Sequence, residues 1–499
     1  MESFNELRER VARLSDVRAA AAVLSWDQET YMPSGAGEAR AHQLATLQQL
    51  AHEMFTDDEL AGLLDRAAAE VAGHDADSDE ARIVKVLVRD RDKAVKLPSR
   101  LVADLARETA LAQQAWAQAR QANDFPAFLP HLETVMALTI EKAEALGYED
   151  TPYDALLDEY EPDMRASEVR TVFAELRDEL VPLVEAIADC PKPDDACLRA
   201  GFDENAQWRF GEAVIADFGF DFDRGRQDRS AHPFSTNFST TDVRITTRVD
   251  HDFLPPALFG TLHEAGHAMY EQGVDPALDR TGLASGTSLG VHESQSRLWE
   301  NMVGRSHAFW RHYYSKLQTD FSTQLAGVSL DDFHRAINRV EPSLIRVEAD
   351  EVTYNLHVMI RFELELDLVE GRLAPADLPD AWNSKYEQAL GLRPDSDANG
   401  VLQDIHWSFG LIGYFPTYSL GNLISAQLYD RADSDLGGIE AQVERGEFGP
   451  LRDWLREHVH RHGSKFSATE LLQRITGGGL EAGPWLNYAR TKFGQLYGL

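Results

Sequence analysis

Along residues 1–200, apolar side chains return at steps of three and four, and Leu101, Leu105, Leu111 and Trp116 fall on one such run. That spacing lines one face of an α-helix and cannot line one face of a strand, whose side chains alternate with period two. Ala, Leu, Glu, Arg and Gln dominate the same stretch, and all five lose little free energy in a helix. No heptad is sustained long enough for a coiled coil, and no internal repeat recurs. Neither a βαβ alternation nor a glycine-rich phosphate loop interrupts the pattern. The chain is therefore expected to be mainly α. The polar stretch 73–80 and the proline-bearing stretch 191–195 read as loops between helices.

The texture changes near residue 230. Between Ser235 and Asp250 the chain is rich in Thr and β-branched residues, with Val243, Ile245, Thr247 and Val249 alternating against polar positions. This is the best strand candidate in the sequence, and its partner is not evident from the sequence. Helical texture resumes at Pro255, with helices predicted over 256–272, 290–324, 331–370, 417–433 and 450–460. Pro256 suits a first helical turn and Gly273 a helix end. The expectation is one large helical body with a small β element beside its site. A single catalytic domain would span 1–499, with a helical part to about 225 and a second part from about 226. No linker divides them.

Composition narrows the partners. With 499 residues, 43% of them apolar, the chain can bury a sizeable core. Its net charge of −35 argues against nucleic acid and against anionic membrane surfaces, both of which call for a basic face. No apolar run is long enough to span a bilayer. Cys190 and Cys197 are the only cysteines and read as ordinary thiols. The opening Met1–Glu6 lacks the basic-then-apolar pattern of a signal peptide, so a cytoplasmic protein is expected.

Chemistry concentrates in His263-Glu264-Ala265-Gly266-His267. Residues four apart share a helical face, so both imidazoles can point at one metal ion, and zinc is the ion such donors suit. Glu264 is turned about 100° away from His263, toward a water rather than the metal. A carboxylate there can take a proton from a water that the metal acidifies. A catalytic zinc needs a third protein ligand. Glu293 and His292 are the candidates, beyond a segment made flexible by Gly282, Gly286 and Gly290. Metal-bound histidines also donate their other nitrogen proton to an outer partner, for which Asp350 or Glu300 would serve.

Six ordered segments now resemble the carboxypeptidase Taq-type family of zinc metallocarboxypeptidases. They are His232-Pro233-Phe234, Asp242 to Thr246, His263 to His267, His292 to Gln295, Ile345 to Asp350, and Gly400 to Trp407. The opening Trp26 to Pro33 is also similar, so the likeness covers nearly the whole chain. The resemblance implies a helical fold with a deep central groove. It implies His263, His267 and Glu293 as zinc ligands, with cobalt able to substitute, and Glu264 as general base. It also implies homodimers, and the release of single residues from peptides with a free C-terminal carboxylate. Side-chain preference would be broad, with proline disfavoured.

Other roles follow from that resemblance and from side-chain chemistry. A free carboxylate is best held by an arginine fork. Arg346 is the first candidate, against an ion pair with Glu348 or Asp350, and Arg244 is the second. His406 and Tyr418 are candidate donors to the oxyanion of the tetrahedral intermediate. Tyr414, in the aromatic segment Gly413 to Tyr418, and His232 are candidate substrate contacts. Two rival readings remain. One is an endopeptidase or dipeptidyl carboxypeptidase with the same zinc chemistry. The other is a non-catalytic scaffold, which would have no reason to keep Glu264.

Overall fold

The computed structural model describes residues 1–499. Helices dominate, and the only sheet has three short strands. The predicted strand segment is two strands joined by a tight reversal, β2 (Ser235–Ser239) and β3 (Asp242–Thr247), with Val249 beyond the end. β3 is central. It pairs antiparallel with β2 and parallel with β1 (Gly225–Arg229). Val243, Ile245 and Thr247 are buried, as the alternation required. β1 is illegible in the sequence because it reads Gly-Arg-Gln-Asp-Arg, without one apolar residue. Its glycine is needed for close approach, since a Cβ on Gly225 would lie 2.4 Å from the Val243 carbonyl oxygen.

Three hydrophobic clusters carry the body. One gathers the first helices, through Phe4, Leu7, Leu63 and Leu87, and takes in Leu278 and Leu283 from the loop after the histidine helix. A second surrounds Phe218, Ile245, Leu262, Trp299 and Phe309. The third joins residues from Ala112–Ile187 to residues from Met302–Phe493, with Phe173, Phe362, Trp382 and Phe415 inside it. The helix Pro416–Leu436 serves both larger clusters, giving Leu420 and Leu423 to one and Ile424 and Leu428 to the other. Each large apolar side chain buried this way contributes roughly 1.5–3 kcal/mol. On the helix Ser99–Ala122 the buried stripe runs through Leu101, Ala112 and Ala119, while Leu111 faces solvent at 46% exposure.

The histidine helix spans Pro255–Gly273, with both prolines in its first turn. Gly273 ends it for a packing reason, because a Cβ there would sit 2.6 Å from the His460 side chain. Two long predicted helices are broken. The run 290–324 is a helix Leu289–Arg297, a π turn Leu298–Val303 and a helix His307–Asp320. The run 331–370 stops at Ile337 and restarts at Tyr354. Pro342 lacks the N–H a continuous helix would need, and the Asn338 amide caps the carbonyls of His334 and Arg305 instead. The freed segment carries Arg346 toward the interior, where it is buried.

Candidate metal centre and active site

His263 and His267 stand one turn apart with ring centroids separated by 4.9 Å. The helix Leu289–Arg297 crosses beside them and brings Glu293 Oε2 to 3.6 Å from His263 Nε2 and 3.4 Å from His267 Nε2. A tetrahedral ion bonded at about 2.0–2.1 Å spaces its ligand atoms roughly 3.3 Å apart. The donor set and its spacing therefore fit zinc. His292 does not join it, because its Nδ1 meets His267 Nδ1 and its Nε2 meets Glu271 Oε1, each at 2.7 Å.

Glycines make this approach possible. A Cβ on Gly266 would meet the Gln295 carbonyl oxygen and the Ser296 Cα at 2.6 Å. A Cβ on Gly421 would lie 2.5 Å from Glu293 Cγ. Gly421→Ala is expected to cost about 1–3 kcal/mol of stability by overpacking and to weaken metal binding by displacing Glu293. Thermal melting and zinc competition check this. An unchanged melting temperature with unchanged zinc affinity would show that the helices part at no cost.

The electrostatics suit a cation. Burial raises and Arg297 lowers the Glu293 carboxyl, and the net effect holds it well below the usual carboxylate range. Arg297 Nε donates to Glu293 Oε1 at 2.7 Å, and its Nη1 donates to Glu300 Oε2 at 3.1 Å. Glu300 Oε2 also meets His263 Nδ1 at 2.9 Å, so Glu300, rather than Asp350, is the outer partner of that histidine. Asp350 is spent on Thr353 and on the backbone N–H groups of Glu341, Val352 and Thr353. His267 is pushed down to about 3 by burial, which keeps it neutral and able to bind metal. Its outer partner is neither predicted carboxylate but His292, Nδ1 to Nδ1 at 2.7 Å. Glu264, 7% exposed, is pushed up to about 7 by burial. His263 opposes that rise, and Glu293 and Glu300 add to it.

A chain of contacts leads from this cluster to other predicted residues. The Arg297 guanidinium lies 4.8 Å from the Tyr354 ring. Tyr354 Oη accepts from Arg346 Nη1 at 2.9 Å. Arg346 is not paired with Glu348 or Asp350. Its Nε and Nη2 donate to Asp404 Oδ1 at 3.0 and 2.8 Å, and Arg361 holds the other oxygen of Asp404. The Tyr418 ring stacks 5.0 Å from the Arg346 guanidinium, and Tyr418 Oη is 3.2 Å from His406 Nε2. Burial pushes His406 down to about 4, so the ring is neutral. Tyr414 packs edge-on against Tyr160 and Tyr418. Beneath this loop the buried carboxylate Glu365 accepts from Trp407 Nε1, Tyr153 Oη and the Gly413 N–H.

Two predicted residues stay apart from the cluster. Arg244, on β3, forms a two-pronged pair with Asp242 and stacks over Trp26 and Phe238. His232 is exposed, and only its backbone carbonyl is engaged, by Ser230 Oγ at 2.6 Å. Arg297, Tyr354, Asp404 and Arg361 support the site, and the sequence assigned none of them a role. The four-residue step from Glu293 to Arg297 was the one visible signal.

Fold and site together define a helical metallopeptidase-type protein with two histidines and one glutamate at its centre. The pattern of the carboxypeptidase Taq (M32) metallopeptidase family matches residues 6–493, and the chain belongs to that family of carboxypeptidase enzymes. It is 45% identical to thermostable carboxypeptidase 1 of Thermus thermophilus, over 100% of this chain and 99% of that one. It is 38% identical to carboxypeptidase 1 of Bacillus subtilis, over 99% and 98%. The crystal structure of an M32 carboxypeptidase from Deinococcus radiodurans R1 superposes with a TM-score of 0.98 at 46% identity, each chain covered fully.

Proposed function

We propose that this chain is a zinc-dependent carboxypeptidase that removes single residues from peptides bearing a free C-terminal carboxylate, with broad side-chain acceptance. The observation that carries the reading is the convergence of His263, His267 and Glu293 beside the buried carboxylate of Glu264. His263, His267 and Glu293 would hold the metal, and cobalt suits the same donors. The metal, when bound, supplies a Lewis acid that polarises the scissile carbonyl and acidifies a water. Glu264 takes the proton of that water and hands it to the leaving amine.

Arg346 is the carboxylate clamp in this reading. A guanidinium has five N–H donors, and three serve Asp404 and Tyr354, which leaves one on each terminal nitrogen. Those two match a carboxylate's fork. Tyr418 stays protonated, because burial holds its phenol well above the ordinary value. With His406 it donates toward the developing oxyanion. Tyr414 extends the same chain of contacts, while Arg244 and His232 on the sheet side contact more distant parts of the peptide. The whole chain acts as one catalytic unit, supported by a core that joins its two parts. It works as a cytoplasmic homodimer without nucleic-acid or membrane partners. The net charge of −35 supports the last point, and no helix is long and apolar enough to cross a membrane.

Mass spectrometry of matched free-acid and amidated peptides tests the substrate. Stepwise loss of single residues from the free acids alone is expected, and Arg346→Gln should slow it chiefly through KM. Internal cuts, or dipeptide release from either form, would instead establish the endopeptidase or dipeptidyl carboxypeptidase reading.

A further inference from the structure

His263 is held directly by a carboxylate, whereas His267 is held through a second histidine. Its Nδ1 lies 2.7 Å from His292 Nδ1. His292 Nε2 lies 2.7 Å from Glu271 Oε1, on the last turn of the same helix that carries His267. Glu271 is buried, and both its oxygens are occupied. Oε1 also accepts from the Gly286 N–H at 3.1 Å, and Oε2 accepts from Asn237 Nδ2 at 2.7 Å, on β2. The His292 ring is enclosed by the rings of His267 and Tyr270, at 4.8 and 5.0 Å. A Cβ on Gly286 would press to 2.4 Å from its Cδ2.

A contact between two imidazole nitrogens needs one N–H and one lone pair. His267 turns Nε2 toward Glu293 and keeps that lone pair for the metal, so its proton sits on Nδ1. His292 must then accept at Nδ1 and carry its own proton on Nε2, where Glu271 accepts it. One assignment of protons satisfies every contact in the chain.

We propose that His292 and Glu271 are positioning residues for the metal ligand His267, forming a hydrogen-bonded relay fixed at its far end by Asn237 of the β-sheet. The relay sets the tautomer and ring angle of His267, and the hydrogen bond accepted by Glu271 raises the electron density of the ligating nitrogen. It also ties the sheet that carries Arg244 to the metal centre. The inference rests on the assignment of His263, His267 and Glu293 as metal ligands, and its test reads metal binding rather than hydrolysis.

Zinc affinity of the full chain, measured by competition with a chromophoric chelator, should fall by about 10–100-fold in His292→Phe and in Glu271→Ala. Glu271→Gln, whose amide oxygen still accepts from His292, should recover most of that loss. In the wild-type zinc protein, 15N spectra of the histidines should show a proton on His267 Nδ1 and a coupling across its hydrogen bond to His292. If the crowded His292→Phe variant does not fold, Glu271→Ala and the wild-type spectrum decide. Folded Glu271→Ala with wild-type zinc affinity, or a His267 Nδ1 without a proton, overturns the relay. A wild type that takes up no zinc overturns the ligand assignment and the relay together. One that binds zinc but leaves peptides intact overturns only the proposed activity.

Discussion

Glu264→Gln should retain zinc at one ion per chain while kcat falls by about 10²–10⁴-fold, the range a positioned acid–base group supplies. Glutamine preserves the shape of a residue that is only 7% exposed, so packing changes little. It removes a buried carboxylate that is neither one of the three candidate ligands nor a hydrogen-bond partner of their histidines. Burial lifts Glu264 to about 7 in the protein alone, and a divalent cation next to it favours the charged form. Because the group must be unprotonated to act, activity should rise with pH along an acid limb lying below 7. Glu264→Gln should remove that limb from the residual rate. Metal analysis with pH-resolved kinetics checks both parts. A variant that keeps wild-type turnover would eliminate Glu264 as the base.

Glu293→Gln should do more damage, because Glu293 serves two charges. It is the proposed third ligand and the partner of the buried Arg297. Zinc affinity should drop by more than the ~10–100-fold typical of losing an outer partner. Breaking a buried ion pair by neutralising one side costs about 3–5 kcal/mol. Here Glu300 remains beside Arg297 and reduces that cost. Melting in the presence of a chelator isolates the structural part from the metal part. Adding Arg297→Met should restore stability without restoring zinc, since the uncompensated charge is then gone but the ligand is still missing. Wild-type zinc affinity in Glu293→Gln would return His292 to candidacy as the third ligand.

Much of this was legible in the chain itself. Helical periodicity decided the architecture, because a period near 3.6 leaves a strand no single apolar face. The i,i+4 histidines and the intervening Glu264 were readable for the same reason, since local helix geometry alone brings them together. β3 was legible through its alternation, whereas the polar β1 was recognisable only beside its partner. Long helices were overdrawn where a π turn at Leu298–Val303 and the break after Ile337 interrupt the pattern. Those interruptions are settled by side-chain caps and packing, which periodicity does not encode.

What lay outside the sequence were contacts between elements distant along the chain. Asp404 beside Arg346, Glu300 beside His263, and His292 between His267 and Glu271 each depend on how helices cross. Hydrogen bonds reach about 3 Å and are directional, so which of several nearby carboxylates takes a given donor is decided by placements of about an ångström. Gly266 and Gly421 show the distinction most clearly. The sequence marks them only as small residues in helices, and the tertiary structure makes them the points where the backbones close far enough for Glu293 to meet the two histidines.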